Sequence, residues 1–345
     1  MSRKLITIST IMTLMSTSVI ADVPNVAADI APIHSLVSRV MDGVGAPKLI
    51  VQSGASPHGY RLRPSEAKAL QDADHVFWMG EELTPWLDSA IGTLASKASV
   101  TTLLDQQGVI LHDFREGALF EAHDHSAHGD DDHDDHDDHK DHDDHDDHDD
   151  HDDHKDHDDH DDHDDHKDHD DHDDHGSHDP HAWLSPENAK LWLNIIASKL
   201  SVSDPENAAT YFMNAAAGQA EIEAMIAEVK ATLKPVQGGK FVVFHDAYQY
   251  FENDFDFYAS GAISLADSSD PSPARIEKIQ KRIRDEGIQC VLAEPQFKKG
   301  LVATVMEGSD ATASVIDPLG AELETGPKLY TRLIKNMAKT LRNCL

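Results

Sequence analysis

Six histidines stand apart from the repetitive, histidine-rich segment 123–178: His34, His58, His75, His112, His181 and His245. Neutral imidazole is a ligand for zinc, copper and nickel. Several chemistry-bearing residues sit where a short apolar run gives way to a turn. His245 ends the run 241–244, and His58 closes Ser53-Gly54-Ala55-Ser56-Pro57-His58 after the run 48–52. Asp317 follows the run 314–316, ahead of Pro318-Leu319-Gly320, and His181 lies in Asp179-Pro180-His181-Ala182-Trp183. Open α/β sheets bind ligands just beyond the carboxyl ends of their strands. A lone histidine, however, is more often a hydrogen-bonded core or surface residue than a ligand. His34, at a helix start, His75, inside an apolar run, and His112 are read as structural. Glu294, after the run 289–293, reads either as an outer-shell partner of a ligand or as an ordinary loop ion pair.

The elements needed to position these residues are legible in outline. Strand-like runs at 25–28, 48–52, 75–79 and 99–102 alternate with helical patterns at 32–41, 64–71 and 83–91. The alternation resumes with strands at 241–244, 255–259, 289–293 and 314–316 and helices at 247–253, 273–286, 298–307 and 327–343. Strands separated by single helices predict α/β architecture with parallel sheets. Between the two series, Ser185-Pro186-Glu187 starts one helix and Asp204-Pro205-Glu206 starts another, with no breaker until Pro235. The reading is two α/β lobes, 22–203 and 236–345, joined by a long rigid helix over 204–235, with Gly218 as the place where that helix would break if it were two. A cleft between two such lobes is a favoured binding site.

The chain has 345 residues and a formal net charge of −35. Residues 130–175 hold 28 Asp and three Lys, so −25 of that charge lies in one stretch. Within it histidine recurs every third residue from His133 to His175, fifteen in all, mostly as Asp-Asp-His. That period fits neither helix nor strand, and the stretch has no apolar residue to bury. The His/Asp-rich segment 123–178 is therefore expected to be a disordered loop of the first lobe. Its imidazoles and carboxylates would collect or buffer divalent metal near the cleft, more weakly as acid protonates them; the bland alternative is an inert repeat. A polyanion such as nucleic acid is excluded as a partner, since it needs clustered Lys and Arg.

Ser2-Arg3-Lys4, the apolar stretch 5–15 and the small residues Val19-Ile20-Ala21 read as a cleaved secretory signal over 1–21. An exported protein can keep disulfides, and Cys290 and Cys344 are its two cysteines. Two free thiols or a cysteine metal site are the competing readings.

Five motifs in order carry a family resemblance. They are Gly54-Ala55-Ser56-Pro57-His58-Gly59-Tyr60 with Arg63-Pro64-Ser65, Asp179-Pro180-His181-Ala182-Trp183-Leu184-Ser185-Pro186, Phe244-His245-Asp246-Ala247-Tyr248, Ala293-Glu294-Pro295-Gln296-Phe297, and Asp317-Pro318-Leu319-Gly320. They resemble the metal-binding, cluster A-I solute-binding proteins of ABC importers, and among these the ZnuA-like zinc-uptake members. The resemblance implies two lobes on a rigid helix, a periplasmic location, a permease partner, one transition-metal ion in the cleft and a Cys290–Cys344 disulfide. Carried over by position, the ligands are His58, His181 and His245, with Asp317 or a water as fourth donor. Three imidazoles and an oxygen suit tetrahedral Zn²⁺. Manganese members carry glutamate at the position of His245. Some zinc members carry glutamate before the first histidine, where this chain has Pro57. Asp317 also reads as a plain turn cap.

The expected function is thus a monomeric zinc receptor, not an enzyme. A zinc hydrolase is disfavoured because the chain has no His-Glu-x-x-His, Gly-x-Ser-x-Gly or phosphate-binding Gly-rich loop. A metal-storage or buffering protein and a manganese-binding family member are the alternatives.

Overall fold

Twice along the chain a series of short apolar strands closes into one parallel sheet. The computed structural model describes residues 23–115, 120, 178–264, 271–296 and 299–345. In the first lobe β1 (Val26–Ala28), α1 (Ala31–Val40), β2 (Lys48–Leu49), α2 (Pro64–Gln71), β3 (His75–Trp78), α3 (Pro85–Leu94) and β4 (Ser99–Thr102) follow one another. The strands lie side by side in the order β2-β1-β3-β4, all parallel. Next come α4 (Pro186–Ser203) and α5 (Ala208–Leu233). The second lobe runs β5 (Phe241–His245), α6 (Gln249–Phe255), β6 (Ala262–Ser264), α7 (Pro273–Glu286), β7 (Cys290–Ala293), α8 (Lys299–Met306), β8 (Thr312–Val315) and α9 (Leu329–Cys344). Its order, β6-β5-β7-β8, repeats that of the first. In each sheet the strand order reverses beside the first strand of the lobe, which opens a crevice at the carboxyl ends of β1 and β3, and of β5 and β7.

Local chemistry sets the helix starts. Proline occupies the first helical turn of α2, α4 and α7, where its missing N–H is no loss. The Ser185 and Ser272 hydroxyls accept the backbone N–H groups of Asn188 and Arg275. The 26-residue α5 runs without a break through Gly218. A Cβ at Gly218 would lie 2.9 Å from Leu193 Cδ1 and 3.1 Å from Arg39 Cγ, so the glycine lets α4 and α1 approach α5 closely. The buried stripe Tyr211, Ala215, Ile222, Met225, Val229 and Leu233 carries α5 into a core shared by both lobes. That core also takes in α1 and α9, so the lobes are joined by packing as well as by the chain.

One expected strand is corrected. Residues 255–259 are not extended: Phe255 ends α6, and Asp256 terminates it in the left-handed conformation at φ 50°. Phe255 and Phe257 are buried for core packing, which mimics an apolar strand in the sequence, while the real strand Ala262–Ser264 follows Gly261. Asp29, beyond β1, shows how the first crevice is closed. Its buried carboxylate accepts the N–H groups of Ile30 and Met79, and burial raises its pKa to about 7. His34 and His75 are buried and structural, with their pKa values lowered by desolvation. His34 Nε2 donates to Pro47 O at 3.2 Å, and His75 Nε2 meets the Ser203 hydroxyl at 2.7 Å. Residues 1–21, read above as a signal, and the His/Asp-rich run lie outside the described residues; among those described, no helix is long and apolar enough to cross a membrane.

Candidate metal centre

His245 is the last residue of β5, so the crevice of the second sheet begins at its side chain. β7 is the neighbouring strand, and Glu294 follows it directly. His245 Nδ1 and Glu294 Oε1 therefore meet at 2.5 Å, with both side chains buried. Glu294 is steadied in turn by Gln296 Nε2, which donates to Oε2 at 2.8 Å. The two residues are 49 apart in sequence and are paired by sheet order alone.

His181 reaches the same place from the first lobe by a local device. Asp179 Oδ1 accepts the His181 backbone N–H at 3.0 Å and lies 2.6 Å from His181 Nδ1, fixing the chain turn and the ring together. A short 3-10 turn, Ala182–Leu184, follows, and Ser185 then caps α4. Trp183, fully buried, donates its indole N–H to Pro318 O at 2.9 Å and ties this turn to the Asp317 loop of the second lobe.

His58 comes from the loop between β2 and α2. Trp86 Nε1 donates to Pro57 O at 2.7 Å, and Glu66 accepts Tyr60 Oη and the Arg63 N–H at 2.8 and 2.7 Å. The loop is thus anchored on both sides of His58, which itself is half-buried.

One ligand atom from each of His58, His181 and His245 lies within 4.8 Å of the others. The Nε2 atoms of His181 and His245 are 3.4 Å apart. Nitrogens about 2.05 Å from a tetrahedral zinc ion would stand about 3.3 Å from each other, so this pair already has chelating separation. If each neutral ring donates its Nδ1–H to the carboxylate beside it, the two Nε2 lone pairs face each other. A divalent cation between them converts that repulsion into two bonds, and the carboxylates raise the basicity of both rings.

Asp317 is not a member of this three-histidine group. Its Oδ1 accepts the N–H groups of Leu319 and Gly320 at 3.0 and 2.8 Å, and Oδ2 that of Ala321 at 2.6 Å. The turn-capping role is therefore filled, while Oδ2, which accepts one N–H among the described residues, keeps a lone pair.

Glu294 is recognisable in the sequence as a partner of a ligand or a loop ion pair, whereas Asp179, Asp246 and Arg115 carry no assigned role there. An aspartate two residues before a histidine on a turn was the available signal for Asp179. Arg115 offered none. Its guanidinium donates from Nε to both Asp246 oxygens, at 3.0 and 3.1 Å, and from Nη1 to Glu252 Oε2 at 2.6 Å. Burial pushes the carboxyls of Asp246 and Glu252 up, Glu252 to about 6, against the pull of Arg115. Burial works against the charge of Arg115 as well, but the two carboxylates outweigh it and hold the guanidinium protonated.

Removing an outer-shell partner should loosen the metal without deleting a ligand. Glu294→Ala is expected to lower metal affinity about 10- to 100-fold, and Glu294→Gln, which keeps an acceptor oxygen, by less. Competition titration against a chromophoric chelator measures both; unchanged affinity in Glu294→Ala would reject the orienting role.

Comparison with known proteins fits this geometry. The family model described as zinc-uptake complex component A, periplasmic (ZnuA), matches residues 26–344. The chain is 49% identical over 320 residues to the high-affinity zinc uptake system protein ZnuA of Brucella abortus (strain 2308), spanning 93% of this chain and 91% of that one. Identity to the protein of the same name from Paracoccus denitrificans is 44% over 326 residues, 94% of this chain and 93% of the other. Among solved structures, a ZnuA crystal structure superposes with a TM-score of 0.67 at 20% identity, over 94% of this chain and 99% of that one.

Proposed function

Because the chain belongs to the ZnuA family of periplasmic zinc-uptake components, we propose that it is the zinc receptor of an ABC importer, taking one Zn²⁺ between its lobes for delivery to a membrane permease. The observation that carries this reading is the convergence of His58 and His181 from one lobe and His245 from the other, with ligand atoms within 4.8 Å. An ion held there is bound by both lobes at once, so capture and lobe closure are one event. Zinc is cargo.

The fourth donor is Asp317 through the free lone pair of Oδ2, or a water. Residues 1–21 act as the export signal, and the receptor works as a monomer. Three neutral imidazoles favour zinc over manganese, whose preferred donors are oxygens. The His/Asp-rich run supplies weak sites that concentrate zinc near the cleft by tethering, at an effective concentration on the order of millimolar.

The fifteen histidines of that run favour a second reading, a storage or buffering protein. Calorimetry on protein lacking residues 130–175 separates the two. One tight zinc site is expected to survive the deletion while total stoichiometry falls. Loss of all tight binding would favour storage, and preference for Mn²⁺ over Zn²⁺ would overturn the zinc assignment.

A further inference from the structure

The His/Asp-rich run leaves the first lobe through a neck of two short segments, 112–115 and 178–179. They are pinned to each other: Asp113 bridges His178, with Nδ1 of His178 2.9 Å from Asp113 Oδ1, and the Asp179 N–H donates to His112 O at 2.7 Å. They are also pinned to the second lobe. The Tyr250 hydroxyl on α6, fully buried, accepts the His112 N–H at 3.1 Å and donates to Asp179 O at 2.7 Å, so one oxygen holds both strands of the neck. Arg115 adds the ionic contact, its fork spread over Asp246 and Glu252 and its face covered by the Phe120 ring at 3.6 Å. The carboxylates it joins are nearly inaccessible, with side chains 7% and 1% exposed.

What makes this more than a salt bridge is where its ends lie. Asp246 is the residue after His245, and Asp179, on the other neck strand, orients His181. A single docked neck therefore touches the supports of a ligand from each lobe. The geometry points to Arg115 as a positioning residue for zinc retention: it latches the neck of the first lobe onto Asp246 and Glu252 of the second, and so sets how fast the closed cleft releases its ion.

A latch and a mere charge act oppositely on a bound cation. If Arg115 only placed positive charge near the site, its removal would speed capture and slow release. If it holds the lobes together, its removal speeds release while capture changes little, as truncation of one partner in a buried charge pair acts chiefly on dissociation. Lysine keeps the charge but lacks the planar fork that spans two carboxylates.

The inference rests on the zinc-receptor reading, and the test keeps the two apart. Zinc-loaded full-length protein is mixed with excess EDTA in a stopped-flow instrument, and the slow release phase that is absent from His245→Ala is assigned to the cleft. Arg115→Ala is expected to accelerate that phase about tenfold with association within about twofold, and Arg115→Lys to fall between it and the parent. Tyr250→Phe, which removes both neck bonds but keeps the ring, should accelerate release too. Metal-free thermal unfolding of each variant is measured alongside, since a purely structural role would lower metal-free and zinc-bound midpoints equally, whereas a latch shrinks the zinc-induced rise. If Arg115→Ala does not fold, Arg115→Lys and Tyr250→Phe carry the test. Release unchanged or slowed in the variants that fold overturns the latch, and a slow phase that persists in His245→Ala overturns instead the assignment of the cleft.

Discussion

His245→Ala is expected to abolish tight zinc binding in the cleft, with a loss larger than the roughly 10- to 100-fold expected for an outer-shell partner such as Glu294. Three effects add in this one substitution. The site loses an imidazole bond to the ion. It also loses the second lobe's histidine, so metal no longer draws the lobes together. Finally, Glu294, whose side chain is fully buried, loses the ring that it meets at 2.5 Å and is left as a carboxylate short of a partner. The measurement is a calorimetric titration on protein lacking residues 130–175, which removes the fifteen histidines of the run from the signal. Retention of parental affinity by His245→Ala would place the tight site elsewhere.

Replacing both cysteines by serine is expected to lower stability by about 4 kcal/mol, because the Cys290–Cys344 disulfide closes a loop of sequence separation 54. For a chain of this size that corresponds to a fall in midpoint of roughly 5–7 °C. The bond joins the first residue of β7 to the last turn of α9, the helix that packs on both α1 and α5. Loss of the crosslink therefore releases the end of the element that closes the shared core. Zinc affinity should change little, since Cys290 stands at the amino end of β7 and Glu294 beyond its carboxyl end. Differential scanning calorimetry and zinc titration on the double variant check both halves. A stable variant with lost zinc binding would contradict the separation.

What the sequence disclosed and what it withheld follow from the range over which each signal acts. Local rules were enough for helix starts: Pro64, Pro186 and Pro273 mark the first turns of α2, α4 and α7. They were also enough for the α/β alternation. They failed at Phe255 and Phe257, where aromatic residues buried by tertiary packing imitate a strand beside a left-handed helix end. In the site, His58, His181 and His245 were legible through the resemblance of their motifs, and their meeting point is now defined by geometry. The His245–Glu294 pair depends on which strands are neighbours, which the spacing of the two residues cannot encode. Arg115 lies in a stretch with no periodicity, and its partners are 131 and 137 residues away. Asp317 has two readings that are compatible: its three amide bonds are those of a turn cap, and its place as fourth donor stays a proposal.

The pairing of Asp113 with His178 has a consequence for how such a chain can change over generations. Because the two ends of the run are clasped to each other, the rest of the protein registers only that the ends meet, not how many residues lie between them. The closure entropy of a loop grows with the logarithm of its length, so doubling the residues between the clasped ends costs about 0.6 kcal/mol. An Asp-Asp-His triplet can therefore be duplicated or lost, again and again, with scarcely any penalty to folding. The clasp makes the number of histidines in the run an adjustable quantity, set independently of the three-histidine cluster.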